Sequence, residues 1–413
     1  MSSPRYAPAV LLGRGVRLAA RLRKAGGGSA VPGLVVNRVA PGFLGDVLSS
    51  FPEGLVVVSG SAGKSTTTKM LVAILAAHGK RVFTNPSTAN ITQGLTSALL
   101  ERASITGRID ADLAVLEMDE GHGARLAERF RARLVLLTNV MTDQIDRFHD
   151  GQQVQAMLGR IAARASDAVV LNGDDALLTA LTPTAAIVPF GVSAAVLAGA
   201  PRGLGYAATA PERLAAGTRV VDVRGRQARI EVRGEALPVR LPAKGVHYAV
   251  DAAGALAAAE RLLGTAFDAR TAVAALDAMS PVFGRGEIVT VRGRQVEFVL
   301  VQNTASLQLN VDELDEGLDQ VLVAMGSDVR DPSYFWPADT ARIGRARMVS
   351  GSKADEVALQ LLYQGVTVDR IEPDLGRALD DFLALPEPDR GIKTIVFTAD
   401  SMRRTRSHLG LAG

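Results

Sequence analysis

At 413 residues the chain is longer than one ordinary core accommodates, and 47% hydrophobic against 22% charged residues describes a globular protein. Its 46 basic and 43 acidic residues leave a net charge of +3 with no long block of either sign, so the electrostatic footprint of a nucleic-acid binder is missing. The chain has no cysteine, which excludes a disulfide, a thiolate nucleophile and a cysteine zinc site, and assigns any thiol chemistry to a partner.

The first stretch, "RYAPAVLLGRGVRLAARLRKAGGG", is apolar in patches broken every few residues by arginine. It reads as an amphipathic helix near residues 8–24, with neither an export signal nor a membrane span expected; weak contact with anionic lipid head groups is its second reading. "GGGSAVPG" then predicts an irregular crossing segment. In "GLVVVSGSAGKSTTTKMLVAILAAHGKRVFT" the order is strand, glycine turn, helix, strand, with Met70, Leu71, Ile74 and Leu75 on one helical face. Further buried strands are expected at "ADLAVLEMDE", "ARLVLLTNV", "DAVVLNGDD" and "AIVPFG", whose continuous apolar runs suit a parallel sheet covered on both faces.

After residue 191 the pattern alternates in "TRVVDVRGRQARIEVRG", an antiparallel hairpin assigned to an insert at about residues 192–240. The Ala-rich "AVDAAGALAAAERLLG" closes the first domain, residues 1–280, with the boundary near Pro281. "VRGRQ" recurs at residues 223–227 and 291–295 as repeated turn chemistry at two hairpin tips. Residues 281–413 form a second, smaller α/β domain, with strands in "VEFVLVQN", "QVLVAMGSD" and "IKTIVFTAD" and helices in "KADEVALQLLYQG" and "DLGRALDDFLAL". The fold class is therefore α/β: a mostly parallel sheet with a small antiparallel insert, then a smaller α/β unit.

"GSAGKSTTT", residues 60–68, is the strongest chemical signal. A glycine-rich turn between strand and helix aims backbone N–H groups at phosphate, so Gly60, Ser61, Ala62, Gly63, Lys64, Ser65 and Thr66 are the expected nucleotide set. Lys64 would reach the β and γ phosphates of ATP, and the Ser65 hydroxyl would ligate magnesium. The full Walker spacing places a glycine where Val58 stands, so only the shorter Gly-x-x-Gly-Lys-Ser form is present. "VLEMDEG" ends a strand in carboxylates; Glu117 is the expected second magnesium ligand, and Asp119 and Glu120 are read as surface or capping groups.

This phosphate loop, "TNPSTANITQG" with Asn90, "LTN" with Asn139 before "DQIDR", and "LNGDD" together resemble the ATP-binding domain of the Mur ligase superfamily. Where most of those enzymes carry histidine after the first aspartate, this chain has Gln144, as in the MurT branch. An amide is a weaker metal ligand than imidazole. "GGGSAVPG", "DVRDPSYFW" and "FTADSMRRTRSHL" resemble the same branch, so the likeness covers nearly the whole chain.

The resemblance implies a Mur ligase-type P-loop domain, Glu117 as the magnesium glutamate, Asn90 closing over the γ phosphate, and Asn139 and His247 as nucleotide contacts. It implies an ATP-dependent carbon–nitrogen ligase that activates the α-carboxylate of D-glutamate in the lipid II stem peptide as an acyl phosphate. Ammonia would come from a GatD-type glutaminase in a heterodimer, at the cytoplasmic face of the membrane. An aspartate of the second domain would complete the glutaminase triad; Asp331 is the assigned position, with Asp328 and Asp339 as alternatives and a turn aspartate before Pro332 as the plainer reading.

The chain also departs from that family. It cannot form a four-cysteine zinc ribbon, "GVHYAVDAAG" keeps His247 but has Tyr248 and Asp251 for asparagines, and "QNTAS" at residues 302–306 replaces Lys-Asn-Pro-Ala-Gly. No lysine lies between Lys80 and Lys244 to serve as a carbamylated metal bridge. Two other readings stay open: a Mur-type ligase joining an amino acid to a different acid or peptide, and an ATP-binding scaffold subunit without turnover.

Overall fold

The structure, a computed structural model, describes residues 4–23, 30–86, 91–141, 150–200, 202–280, 284–329 and 331–411. Its first nine strands are β1 (Leu55–Ser59), β2 (Val82–Thr84), β3 (Leu113–Glu117), β4 (Ala132–Leu137), β5 (Ala165–Asn172), β6 (Ala186–Val192), β7 (Thr218–Arg224), β8 (Gln227–Val232) and β9 (Glu235–Arg240). They form one sheet in the order β2-β3-β1-β4-β5-β6-β7-β8-β9, parallel through β7 and antiparallel beyond.

The continuous apolar runs make this sheet two-sided. Val56 and Val58 point into one core with Met70, Leu71 and Ile74 of the helix Lys64–Ala77 and the Ala-rich helix Val246–Leu263. Leu55 and Val57, one residue out of phase, enter the opposite core with Val10, Val36, Phe43, Leu99 and Leu158. Period-two alternation on a sheet covered by helices on both faces requires both sets of positions to be apolar.

The hairpin expected within residues 192–240 forms, and β7 pairs in parallel with β6, so β7–β9 continue the main sheet. One expectation needs correcting. Part of "GGGSAVPG" is regular: Val31–Val39 is a helix with Pro32 in its first turn, where a missing N–H costs nothing.

The second sheet contains β10 (Arg285–Val291), β11 (Arg294–Leu300), β12 (Val321–Ala324), β13 (Arg345–Ser350), β14 (Thr367–Val368), β15 (Ile371–Glu372) and β16 (Lys393–Phe397). The order is β10-β11-β16-β12-β13-β14, with β15 also on β13. The β10–β11 turn carries Arg292 at φ 52° and Gly293 at φ 80°, the left-handed pair that matches hairpin twist. Among the described residues no helix is long and apolar enough to cross a membrane.

Candidate active site

Strand order determines where a ligand can approach. β1 lies between β3 and β4, pairing in parallel with both, and the chain leaves it in one direction to build β2 and β3 before returning on the other side as β4. Such a switch point opens a crevice at the carboxyl ends of the strands. Those ends carry the residues 60–63 after β1, Glu117 at the end of β3, Thr138 and Asn139 after β4, and residues 172–175 at the end of β5.

The phosphate loop is held by its neighbours in a tight ring. Asn139 accepts from Ala62 N–H through Oδ1 at 2.9 Å, its own carbonyl accepts from Ser61 N–H at 2.9 Å, and Thr138 Oγ1 donates to the Ala62 carbonyl at 2.6 Å. Ser61 Oγ accepts from Met141 N–H at 3.1 Å. Gly60 and Gly63 have φ of 135° and 80°; a methyl on the first would lie 2.2 Å from Thr138 Oγ1, and on the second 2.2 Å from Asp251 Oδ1. Only glycine fits either place, and Gly63 caps the helix Lys64–Ala77 so that its first N–H groups face the crevice. Asn139 thus acts on the loop itself, as a positioning residue.

Three expected residues come together beside the loop. Ser65 Oγ donates to Glu117 Oε2 at 2.8 Å, and both side chains are buried. Lys64 Nζ donates to the Ser61 carbonyl at 3.0 Å, to the Gly60 carbonyl, and to Glu120 Oε2 at 3.2 Å. Glu120 is not the surface group expected; it is fully buried, with Oε1 lacking a hydrogen-bond partner among the described residues. Asp119 does cap, accepting from Gly121 and His122 N–H at 3.1 Å.

Asn85 escaped the sequence reading. Its amide donates to the Glu117 carbonyl and accepts from Glu117 N–H, both at 3.0 Å. β2 pairs with β3 as far as Thr84 opposite Val115, and the Asn85 side chain supplies the next ladder step in place of backbone. A polar residue ending a strand before Pro86 was the available signal.

Asp251 and His247 lie one turn apart on the helix Val246–Leu263, and the first of them packs on Gly63. Burial lowers the His247 pKa to about 4, leaving a neutral ring tilted against Tyr248 at 4.2 Å between centroids, with Nδ1 unpartnered among the described residues. The glycine cradle, the two oxygen donors of Ser65 and Glu117 and this orphaned nitrogen fit a magnesium–nucleotide. Asn90, Asp143, Gln144 and Asp146 lie outside the described residues.

"LNGDD" is scaffolding. Asp175 accepts from Val140 N–H at 2.6 Å and from Leu177 and Leu178 N–H, which fixes the residue after Asn139; burial raises its pKa to about 6. Asn172 donates to Tyr206 Oη at 2.8 Å, and Asp174 accepts from Val192 N–H at 2.7 Å.

Asp331 lies past the carboxyl end of β12, exposed, accepting from Ser333 N–H at 2.9 Å; the Ser333 hydroxyl first and this N–H second lower its pKa. No described contact joins it to Lys64, Ser65 or Glu117. Of its alternatives, Asp328 accepts from Thr398 Oγ1 at 2.8 Å and Asp339 pairs with Arg202. "QNTAS" forms a capping box between Asn303 and Ser306, opening the helix Thr304–Asp312, and Ala305 there packs against Gly205 of the first unit.

Residues 58–259 match the Mur ligase middle domain family. Over 356 residues the chain is 30% identical to the UDP-N-acetylmuramoylalanine--D-glutamate ligase of Anaeromyxobacter dehalogenans, covering 83% of this chain and 67% of that one. The chain belongs to the Mur ligase family. It is an ATP-dependent carbon–nitrogen ligase. It is 27% identical over 393 residues, 85% of each chain, to the MurT subunit of the glutamine-hydrolyzing lipid II isoglutaminyl synthase of Streptococcus pneumoniae. The fold is shared with MurF ligase of Thermotoga maritima, solved in complex with ADP, at a TM-score of 0.64 and 16% identity over 89% of this chain and 81% of that one.

Proposed function

We propose that this chain is the ATP-dependent subunit of an amidating ligase of peptidoglycan synthesis, acting on the α-carboxylate of D-glutamate in the lipid II stem peptide. The observation that carries this reading is the buried Ser65–Glu117 hydrogen bond at 2.8 Å, two oxygen ligands joined at the end of a glycine cradle. The likeness to a MurT subunit along 85% of both chains supports the substrate.

In this reading the loop N–H groups and Lys64 bind the phosphates of ATP, with His247 beside the base. Magnesium, held by Ser65 and Glu117, would neutralise charge on the transferring phosphoryl group. A carboxylate oxygen of the substrate attacks the γ phosphorus and ADP leaves, giving an acyl phosphate. Ammonia then attacks the acyl carbon, phosphate departs, and the extra proton on nitrogen passes to solvent. Lys64 stabilises the equatorial charge of the first step from a fixed position.

The chain has no cysteine, so it lacks the nucleophile that releases ammonia from glutamine in class I glutaminases. A GatD-type partner would supply it in a heterodimer, with Asp331 orienting the partner's histidine. The exposed Trp336, five residues after Asp331, meets the exposed Tyr363 at 5.8 Å between ring centroids, and the pair offers an aromatic docking surface. The corresponding domains are residues 1–280 and 281–413, the location cytoplasmic at the inner membrane face.

The test is product mass after incubating purified chain with ATP, magnesium, lipid II and ammonium, repeated with glutamine and a co-expressed GatD-type glutaminase. Exchange of hydroxyl for amine on lipid II supports the reading. ATP binding without amidation would redirect it to a different acid.

A further inference from the structure

A cavity of about 380 Å³ opens between the helices Val31–Val39, Thr92–Arg102 and Glu120–Leu126 and the turn Ala127–Arg129. Arg38, Arg125 and Arg129 converge on it from three of these elements, with Leu34 and Thr92 in the wall. None of the three guanidiniums has a hydrogen bond or ion pair among the described residues, whereas nearby Arg17 pairs with Glu101 and Arg81 with Asp112. The intervening Glu128 is exposed and does not line the cavity.

Two features show that this cavity is built. Gly33 brings the helix Val31–Val39 onto the helix Thr92–Arg102 so closely that a methyl there would lie 1.9 Å from the Gln93 carbonyl, and its N–H donates to Ser97 Oγ at 2.9 Å. That contact fixes Leu34 and Arg38 over Thr92. The other wall is tied to the chemistry: Glu120 at the start of its helix holds Lys64, and Arg125 follows five residues later, about 8 Å along the axis.

The lining is amphipathic. Val31, Leu34 and Arg38, spaced three and four apart, form one exposed stripe on their helix, so apolar surface leads directly to the basic cavity. Guanidinium forks match phosphate oxygens in geometry, and three of them match the charge of a diphosphate.

We infer that the cavity formed by Arg38, Arg125 and Arg129 binds the diphosphate of a lipid-linked acceptor, with the adjoining hydrocarbon on Val31 and Leu34. This rests on the amidating-ligase reading and assigns the residues that present its substrate. The anion is anchored one short helix away from Lys64, so the distal part of the acceptor can reach the phosphate loop.

The test uses the full chain with its partner and compares wild type with the triple variant Arg38→Gln, Arg125→Gln, Arg129→Gln. Co-sedimentation is measured with a non-hydrolysable ATP analogue occupying the phosphate loop, on phosphatidylcholine vesicles carrying lipid II, a polyprenyl diphosphate, or phosphatidylglycerol. Wild type is expected on the two diphosphate vesicles well above phosphatidylglycerol, and the triple variant should lose roughly tenfold or more of that binding. In amidation the variant should raise KM for lipid II by a similar factor with KM for ATP unmoved. Equal binding of wild type and variant, or equal binding to phosphatidylglycerol, overturns the inference. Diphosphate-selective binding without any amidation by wild type would overturn the functional reading and leave the cavity assignment standing. Melting temperature and ATP-analogue affinity check the fold of the variant, whose three altered side chains are exposed.

Discussion

Lys64 and Glu120, 56 residues apart in sequence, meet as an ion pair at 3.2 Å with the carboxylate fully buried. The ammonium that would hold a triphosphate is therefore already balanced, and it exchanges carboxylate and carbonyl partners for phosphate oxygens on binding. Removing Lys64 alone leaves Glu120 as an uncompensated buried charge. Lys64→Ala should lose on the order of 3–5 kcal/mol of stability as well as all turnover. Lys64→Met with Glu120→Gln should recover most of that stability without recovering turnover, measured by urea unfolding beside ATP hydrolysis. Full activity in the double variant would remove Lys64 from the mechanism.

Ser65 and Glu117 form a single unit through their 2.8 Å hydrogen bond. Ser65→Ala and Glu117→Gln should each reduce ATP turnover on the order of 100-fold. Because both would act on one ion, the double variant should be little worse than either single one. Additive losses in the steady-state rates would argue against a shared site.

Asp175 links pH to the loop that follows β4. Its pKa of about 6 lies above the ordinary aspartate value because burial disfavours the charged form. The folded state therefore holds its proton more tightly than the unfolded state. That contribution is fully present below about pH 4 and is lost as pH rises through 6, by about 3 kcal/mol. Asp175→Asn should flatten this part of the profile while weakening the contact to Val140 N–H. Denaturant midpoints from pH 4 to pH 7 measure it; parallel profiles for wild type and variant would refute the assignment.

Asp331 is exposed and accepts locally from Ser333, whereas Asp339 is committed to Arg202. Asp331→Asn should abolish amidation driven by glutamine and leave amidation driven by free ammonium intact. Equal loss with both nitrogen sources would move Asp331 out of the proposed triad role.

Local patterns carried much of this protein. The glycine turn, the first-domain strands and the Asp119 cap were legible because they depend on backbone conformation, period-two burial and neighbouring N–H groups. The helix Val31–Val39 was missed because glycine and proline read as breakers, although proline in a first turn is favourable.

The sequence by itself determined that a glycine turn follows a buried strand and opens a helix, since the left-handed backbone at Gly63 and the apolar periodicities on either side of it depend on local residue types, while Thr138, Asn139 and Met141 hold that turn from far along the chain. Tertiary structure alone decided that Glu120 would be buried under Lys64, that Asn85 would complete the strand pair at Glu117, and that Arg38, Arg125 and Arg129 would share one cavity. Each of those meetings depends on β1 lying between β3 and β4 and on helices packed over the sheet. Strand order joins residues far apart in the chain, and local periodicity contains no record of it.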